Sequence, residues 1–225
     1  MLASLLRRQP RAVLAAALVL ATAIGAAWYW ASGWAPGQPA DQGVDIGDSD
    51  GAIDGWALRR AGARFAYVEA SIGGRRAAAF EGNWQRVGEA GLQRGALHRW
   101  SLCADAGTQM AAFITTVART DSQLPPAVAF DLDDCAVRPD PTALHASVGA
   151  FLAGIERHLG RQAILRITPA FEQAYHLSAA IDRPLWGVRD FFPPNYLARD
   201  WRLWQANGAR RVAGVDQRLH WDVRK

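Results

Sequence analysis

From residue 43 to the C-terminus, short apolar or β-branched runs alternate with stretches of helical length, and this rhythm narrows the fold before anything else is considered. Strands are expected at 44–46, 64–70, 94–100, 127–133, 162–168, 184–189, 201–205 and 211–215. Helices are expected at 53–61, 77–90, 104–118, 141–159 and 169–177. Strand then helix, repeated, is the pattern of parallel strands joined by crossover helices. Because the last three strands are joined by short links, there are fewer helices than strands. The expected class is α/β, a modified TIM-like barrel of about eight strands with about five helices. Half of the 225 residues are apolar and one fifth are charged, which excludes a disordered chain, and two cysteines are too few for a disulfide framework.

Ahead of that alternation, Arg7, Arg8 and Arg11 precede the uncharged run Ala12 to Trp30. A spanning helix needs about 20 apolar residues, whereas the core of a signal peptide runs to about 7–15. Trp28, Tyr29 and Trp30 close the run like an interfacial aromatic belt. Residues 1–30 therefore read as a signal anchor that meets the membrane through residues 12–30. The arginines lie on the cytoplasmic side, and the rest of the chain is exported to the periplasmic or extracellular side of the envelope. The alternative is a signal peptide cleaved within residues 23–27. Residues 31–42, rich in Gly, Pro and Ala, read as a linker. Residues 43–225 read as one domain. The net charge is +4, and no acidic residue precedes Asp41, so taking away the three N-terminal arginines leaves +1. No basic stripe interleaved with aromatics occurs elsewhere, and no nucleic-acid partner is expected.

One strand carries a chemical argument. Period-2 alternation puts Val128, Phe130 and Leu132 on one face of residues 127–133, and Ala127, Ala129, Asp131 and Asp133 on the other. Large apolar groups suit packing against helices. Small residues followed by two carboxyls suit a barrel interior that opens into a site at the C-terminal end of its strands. Two such carboxyls raise one another's proton affinity and can divide acid and base roles. Capping a loop or pairing with arginines is the alternative.

The order and spacing of further residues resemble glycoside hydrolase family 25, the lysozyme-type muramidases. Gly43-Val44-Asp45-Ile46, then Ile53-Asp54 and Trp56, resemble the family's opening, and Phe65-Ala66-Tyr67-Val68 its second strand. Phe80, Asn83, Ala90-Gly91-Leu92, Gly95-Ala96 and His98 follow in its order, then Pro125-Pro126 and Asp131-Leu132-Asp133. Pro184-Leu185-Trp186, Trp204-Gln205 and Gly214-Val215 resemble the closing strands. The resemblance implies a metal-free enzyme, without a cofactor, that cleaves the β-1,4 bond between N-acetylmuramic acid and N-acetylglucosamine in peptidoglycan glycan strands. It implies Asp133 as proton donor, and Asp131 with Asp45 as the groups that stabilise positive charge on the sugar or orient a nucleophile. Three positions depart from the family's pattern: Asp133 stands for its Glu, Glu69 for its Lys, and His220 aligns with an Asp. These departures also admit a weak or inactive relative that binds cell-wall glycan or an envelope partner.

Phe65, Tyr67 and Glu69 share a strand face, so Glu69 either joins the acidic site or pairs with an arginine that holds the mouth together. His98, on one face with Ala96 and Trp100, reads either as a ligand for the sugar or as a satisfied interior histidine. Trp100, Trp186 and Trp204 lie at or near strand ends where sugars could stack, with core packing as the alternative. Cys103 and Cys135 follow the ends of consecutive strands in an oxidising compartment, so a disulfide is expected, free thiols being the alternative. No His, Cys or acidic cluster has metal-ligand spacing.

Overall fold

The structure, a computed structural model, describes residues 10–37, 41–119, 124–133 and 135–225. Arg7, Arg8 and linker residues 38–40 lie outside the described residues. The chain divides into two compact units, 1–34 and 35–225. In the first, helix α1 (Pro10–Gly33) contains an apolar stretch, Ala12–Gly33, with a mean hydropathy of 2.0, long enough to cross a membrane. The helix thus continues through Ala31, Ser32 and Gly33, three residues beyond the boundary expected at Trp30.

The second unit is a closed barrel. Its strands are β1 (Asp41–Ile46), β2 (Phe65–Ile72), the two-residue β3 (Arg75–Arg76), β4 (Gln93–Arg99), β5 (Ala127–Phe130), β6 (Ile164–Ile167), β7 (Leu185–Val188), β8 (Trp201–Arg211) and β9 (Arg218–Arg224). Eight of them close in the order β1-β9-β8-β7-β6-β5-β4-β2 and back to β1, with β3 a short hairpin extension of β2. Between them run α2 (Gly55–Arg60), α3 (Phe80–Glu89), α4 (Ala106–Thr116), α5 (Pro141–Leu159), α6 (Pro169–Tyr175) and α7 (Leu177–Ala180). The five expected helices are present, and the short α7 is a sixth.

Local chemistry sets these boundaries. Asp54, Asp105 and Asp140 each accept backbone N–H groups at the start of α2, α4 and α5, and Pro141 opens α5 where a missing N–H is harmless. Gly160 ends α5 in the left-handed conformation, φ 70°. Alternation along the strands then sorts the core. Val44, Ile46, Ala66, Val68, Ala96, Val128, Phe130, Leu165 and Ile167 face the helices. Phe65, Tyr67, Leu97, Ala127, Ala129, Ile164, Trp186 and Leu203 fill the barrel's interior with Leu124.

The last strand is the main correction. Residues 211–215, expected to close the barrel, form the end of β8 and the turn after it; Gly214 has φ 85° there. The closing strand is Arg218–Arg224, antiparallel to both β1 and β8. Its own alternation explains this. Leu219, Trp221 and Val223 are buried on the outer side, while His220, Asp222 and Arg224 belong to the inner face.

Candidate active site

The parallel strands end together around a cleft of about 370 Å3, lined by Asp45, Asp50, Glu69, Arg99, Asp131, Arg166 and His220, with Leu97, Ala129, Thr168 and Val188 among the walls. Most of the polar groups arrive by strand geometry, Asp50 coming from the short turn after β1. Asp45 is the second-last residue of β1, Glu69 follows Phe65 and Tyr67 on the inner face of β2, and Asp131 follows β5 directly. Arg166 occupies an inner position of β6, above Ile164. His220 comes from the other direction. Because β9 runs antiparallel, its early residue His220 lies opposite Asp45, and Asp222 lies one pleat deeper, opposite Gly43.

Arg166 ties the floor together. Its Nε lies 3.1 Å from Asp45 and its Nη1 3.4 Å from Asp131, and a second Nη donates to Gln205. The guanidinium also lies over the Trp186 ring, 5.9 Å from its centroid. His220 Nδ1 stands 2.6 Å from Asp45. Burial pushes the Asp45 carboxyl up, but the neighbouring His220 and Arg166 charges outweigh it and hold it below the ordinary carboxylate range. Reciprocally, the Asp45 charge holds the His220 proton more tightly than in a free imidazole. Burial raises Glu69 and Asp50 above the ordinary range. For Glu69 this happens despite Arg99 at 2.5 Å, and for Asp50 despite the hydrogen bond that its Oδ2 accepts from Gly47 N at 2.7 Å. Deeper still, Asp222 is fully buried; desolvation and the charge of Asp45 raise it well above that range. The cleft thus sets one carboxyl held below the ordinary range, Asp45, beside two carboxyls and an imidazole whose proton affinity is raised.

The predicted site residues separate into two groups. Asp45, Glu69 and Asp131 meet at the cleft. Asp133 does not. The strand stops at Phe130, and beyond it the chain turns, so that Asp133 Oδ2 accepts from Ser101 Oγ at 3.0 Å and from Leu102 N at 2.9 Å. The alternation that put Asp133 beside Asp131 holds only while the strand lasts. Next to it Cys103 and Cys135 form a disulfide, Cα–Cα 5.4 Å.

The aromatic candidates also lie elsewhere. His98 is fully buried on the outer side of β4, where Ser71 Oγ meets its Nδ1 at 2.8 Å and Gln109 its Nε2 at 3.1 Å. Trp100 packs in the same layer, against Phe130 and Phe151. Trp186 fills the barrel's interior against Tyr67. Trp204 is buried, its Nε1 donating to Arg189 O at 2.6 Å. None of the four lines the cleft, because large aromatics gain most from the helix–sheet layer and the barrel centre. The residues that sequence reasoning missed are Arg166, Asp50 and Arg99, together with a cleft position for His220. The alternation in 218–224, with apolar residues at 219, 221 and 223, was the available signal for His220.

Comparison with known proteins agrees with this architecture. The sequence model for "Glycosyl hydrolases family 25" matches residues 44–215. The "Uncharacterized protein YegX" of Escherichia coli K12 is 26% identical over 165 residues, covering 71% of this chain and 58% of that protein. The counterpart in Escherichia coli O6:H1 matches equally. The chain thus spans less than two thirds of the length of these curated relatives. Among solved structures, a family 25 glycosyl hydrolase from Bacillus anthracis aligns with a TM-score of 0.73 at 23% identity, covering 81% of this chain and 88% of that one. A bacterial lysozyme from Streptomyces coelicolor aligns with a TM-score of 0.73 at 21% identity, covering 83% and 92%. At such identities the structural likeness speaks for the fold.

Proposed function

Because this chain belongs to glycosyl hydrolase family 25, we propose that it is an exported, membrane-anchored glycosidase that cleaves the β-1,4 bond between N-acetylmuramic acid and N-acetylglucosamine in peptidoglycan. The observation that carries the reading is the carboxyl-lined cleft of about 370 Å3 at the C-terminal end of the barrel, with Asp131 half exposed within it. A glycosidase needs one group that gives a proton to the leaving oxygen and one carboxylate that meets positive charge at the anomeric carbon. Asp131 takes the second role. Asp45 is committed to Arg166 and His220, and so acts through them. Asp133, engaged by Ser101 and Leu102, leaves the proton to another group of the cleft. Export and anchoring rest on the apolar helix Ala12–Gly33.

The test is digestion of purified peptidoglycan by the full chain in detergent over a series of pH values. New reducing ends on N-acetylmuramic acid, identified by mass, are expected. Sedimentation with the glycan without any new reducing end would overturn the enzyme reading. That result would favour the second reading, a glycan-binding relative, for which the diversion of Asp133 is the specific observation.

A further inference from the structure

We propose that His220 is the proton donor of this site, held in place by Asp45. The proposal deepens the glycosidase reading above and rests on it. Three structural facts carry it. His220 lines the cleft with its side chain 43% exposed, whereas Asp133 does not line it. Its Nδ1 faces the buried Asp45 at 2.6 Å, which orients the ring and leaves Nε2 as the nitrogen that Asp45 does not engage. Asp131 lines the same cleft and is pinned to the same Arg166 that holds Asp45, so donor and carboxylate are built on one shared frame.

Charge explains why an imidazole suits this cleft. The groups that face His220 are Asp45 on β1, Asp50 in the turn after β1 and Arg166 on β6. Asp222 lies one pleat deeper on its own strand. The two acids favour its protonated form and Arg166 opposes it, the Asp45 charge being the largest influence. When the bond between C1 and the leaving oxygen breaks, the Nε2 proton moves to that oxygen and leaves a neutral imidazole. Repulsion from Arg166 is relieved in the same step that places positive charge on the sugar, which Asp131 faces. Water then adds to C1 and returns a proton to Nε2, restoring the starting state. General acids of this kind contribute about 10²- to 10⁴-fold to rate.

The experiment uses the full chain in detergent, with two substrates: peptidoglycan, and a 4-nitrophenyl glycoside of its disaccharide, whose leaving group needs little protonation. His220→Asn retains a polar group toward Asp45, and His220→Gln is a second variant; thermal unfolding reports whether each is folded. Both are expected to lose about 10²- to 10⁴-fold on peptidoglycan and little on the activated glycoside. The wild type should lose activity as pH rises through the raised His220 pKa, and the variants should lack that limb. Equal losses on both substrates, or an unchanged pH limb, would overturn the donor role while leaving the glycosidase reading intact. A wild type that cleaves neither substrate at any pH would overturn the glycosidase reading and the donor role together.

Discussion

Asp222 is a buried acid that links the stability of the barrel to pH. It lies inside, with no exposed surface, opposite Gly43 on β1 and Gln205 on β8. Burial, followed by the charge of Asp45, raises its pKa well above the ordinary 3.8, so the folded chain holds this proton more tightly than the unfolded chain does. Its contribution to stability is complete below 3.8 and is lost as pH rises through the folded value. His98 has the opposite sign: burial lowers its pKa to about 4, so its contribution is present above 6.5 and is lost as pH falls toward 4. Asp222→Asn, an uncharged mimic of the protonated acid, should remove the alkaline decline and leave the neutral-pH melting temperature unchanged or higher. Melting curves of both proteins from pH 4 to 8 check this. Curves that run parallel, with the variant lower throughout, would show that Asp222 is ionised in the fold.

Within and between elements, two glycines of opposite meaning make the packing testable. Gly43 sits on the inner face of β1, where an added Cβ would stand 2.4 Å from the Phe65 carbonyl oxygen and 2.5 Å from its ring. The barrel keeps that space for Phe65, so Gly43→Ala forces β1 and β2 apart and should cost about 1–3 kcal/mol. Gly149 lies on an exposed turn of α5, with nothing within 4 Å of an added Cβ. There, Gly149→Ala should stabilise by about 0.5–1 kcal/mol by restricting the unfolded chain and favouring the helix. Denaturant unfolding of the two variants separates the cases by sign. The element boundaries themselves were largely legible: Asp140-Pro141 and Gly160 announce α5 at both ends, and the alternation of residues 127–130 announces β5. Where β8 ends was not legible, because the eleven-residue strand runs on through Asn207-Gly208, a pair that ordinarily marks a turn, to Arg210 and Arg211.

For the molecule as a whole, the disulfide ties the loop after β4 to the segment beyond β5 across a sequence separation of 32. Closing a loop of that length contributes about 3–4 kcal/mol in the chain-entropy picture. The Cys103→Ser/Cys135→Ser double variant should unfold at lower denaturant by an equivalent amount, and a dithiol reductant should lower the wild type to the same level. A variant as stable as the wild type would mean that the loops are held by Ser101, Leu102 and Asp133 alone. The barrel itself closes by backbone pairing of β1 with β9 and β2.

The sequence by itself determined the apolar N-terminal helix, the strand–helix alternation and the shared strand faces that carry Glu69 and Asp131, because periodicity is a property of neighbouring residues; the family, and Asp45 with it, came from the resemblance in the order and spacing of residues along the whole domain. It could not place Asp133, His98 or Trp204, since each depends on where a strand stops or which side of a barrel wall it faces. Only the tertiary structure decided that an antiparallel last strand brings His220 to Asp45, and that Arg166, from a third strand, binds Asp45 and Asp131 together. The physical reason is closure: the pairing of β9 with β1 joins residues at opposite ends of the domain, and only then do their charges lie close enough to shift one another's proton affinity.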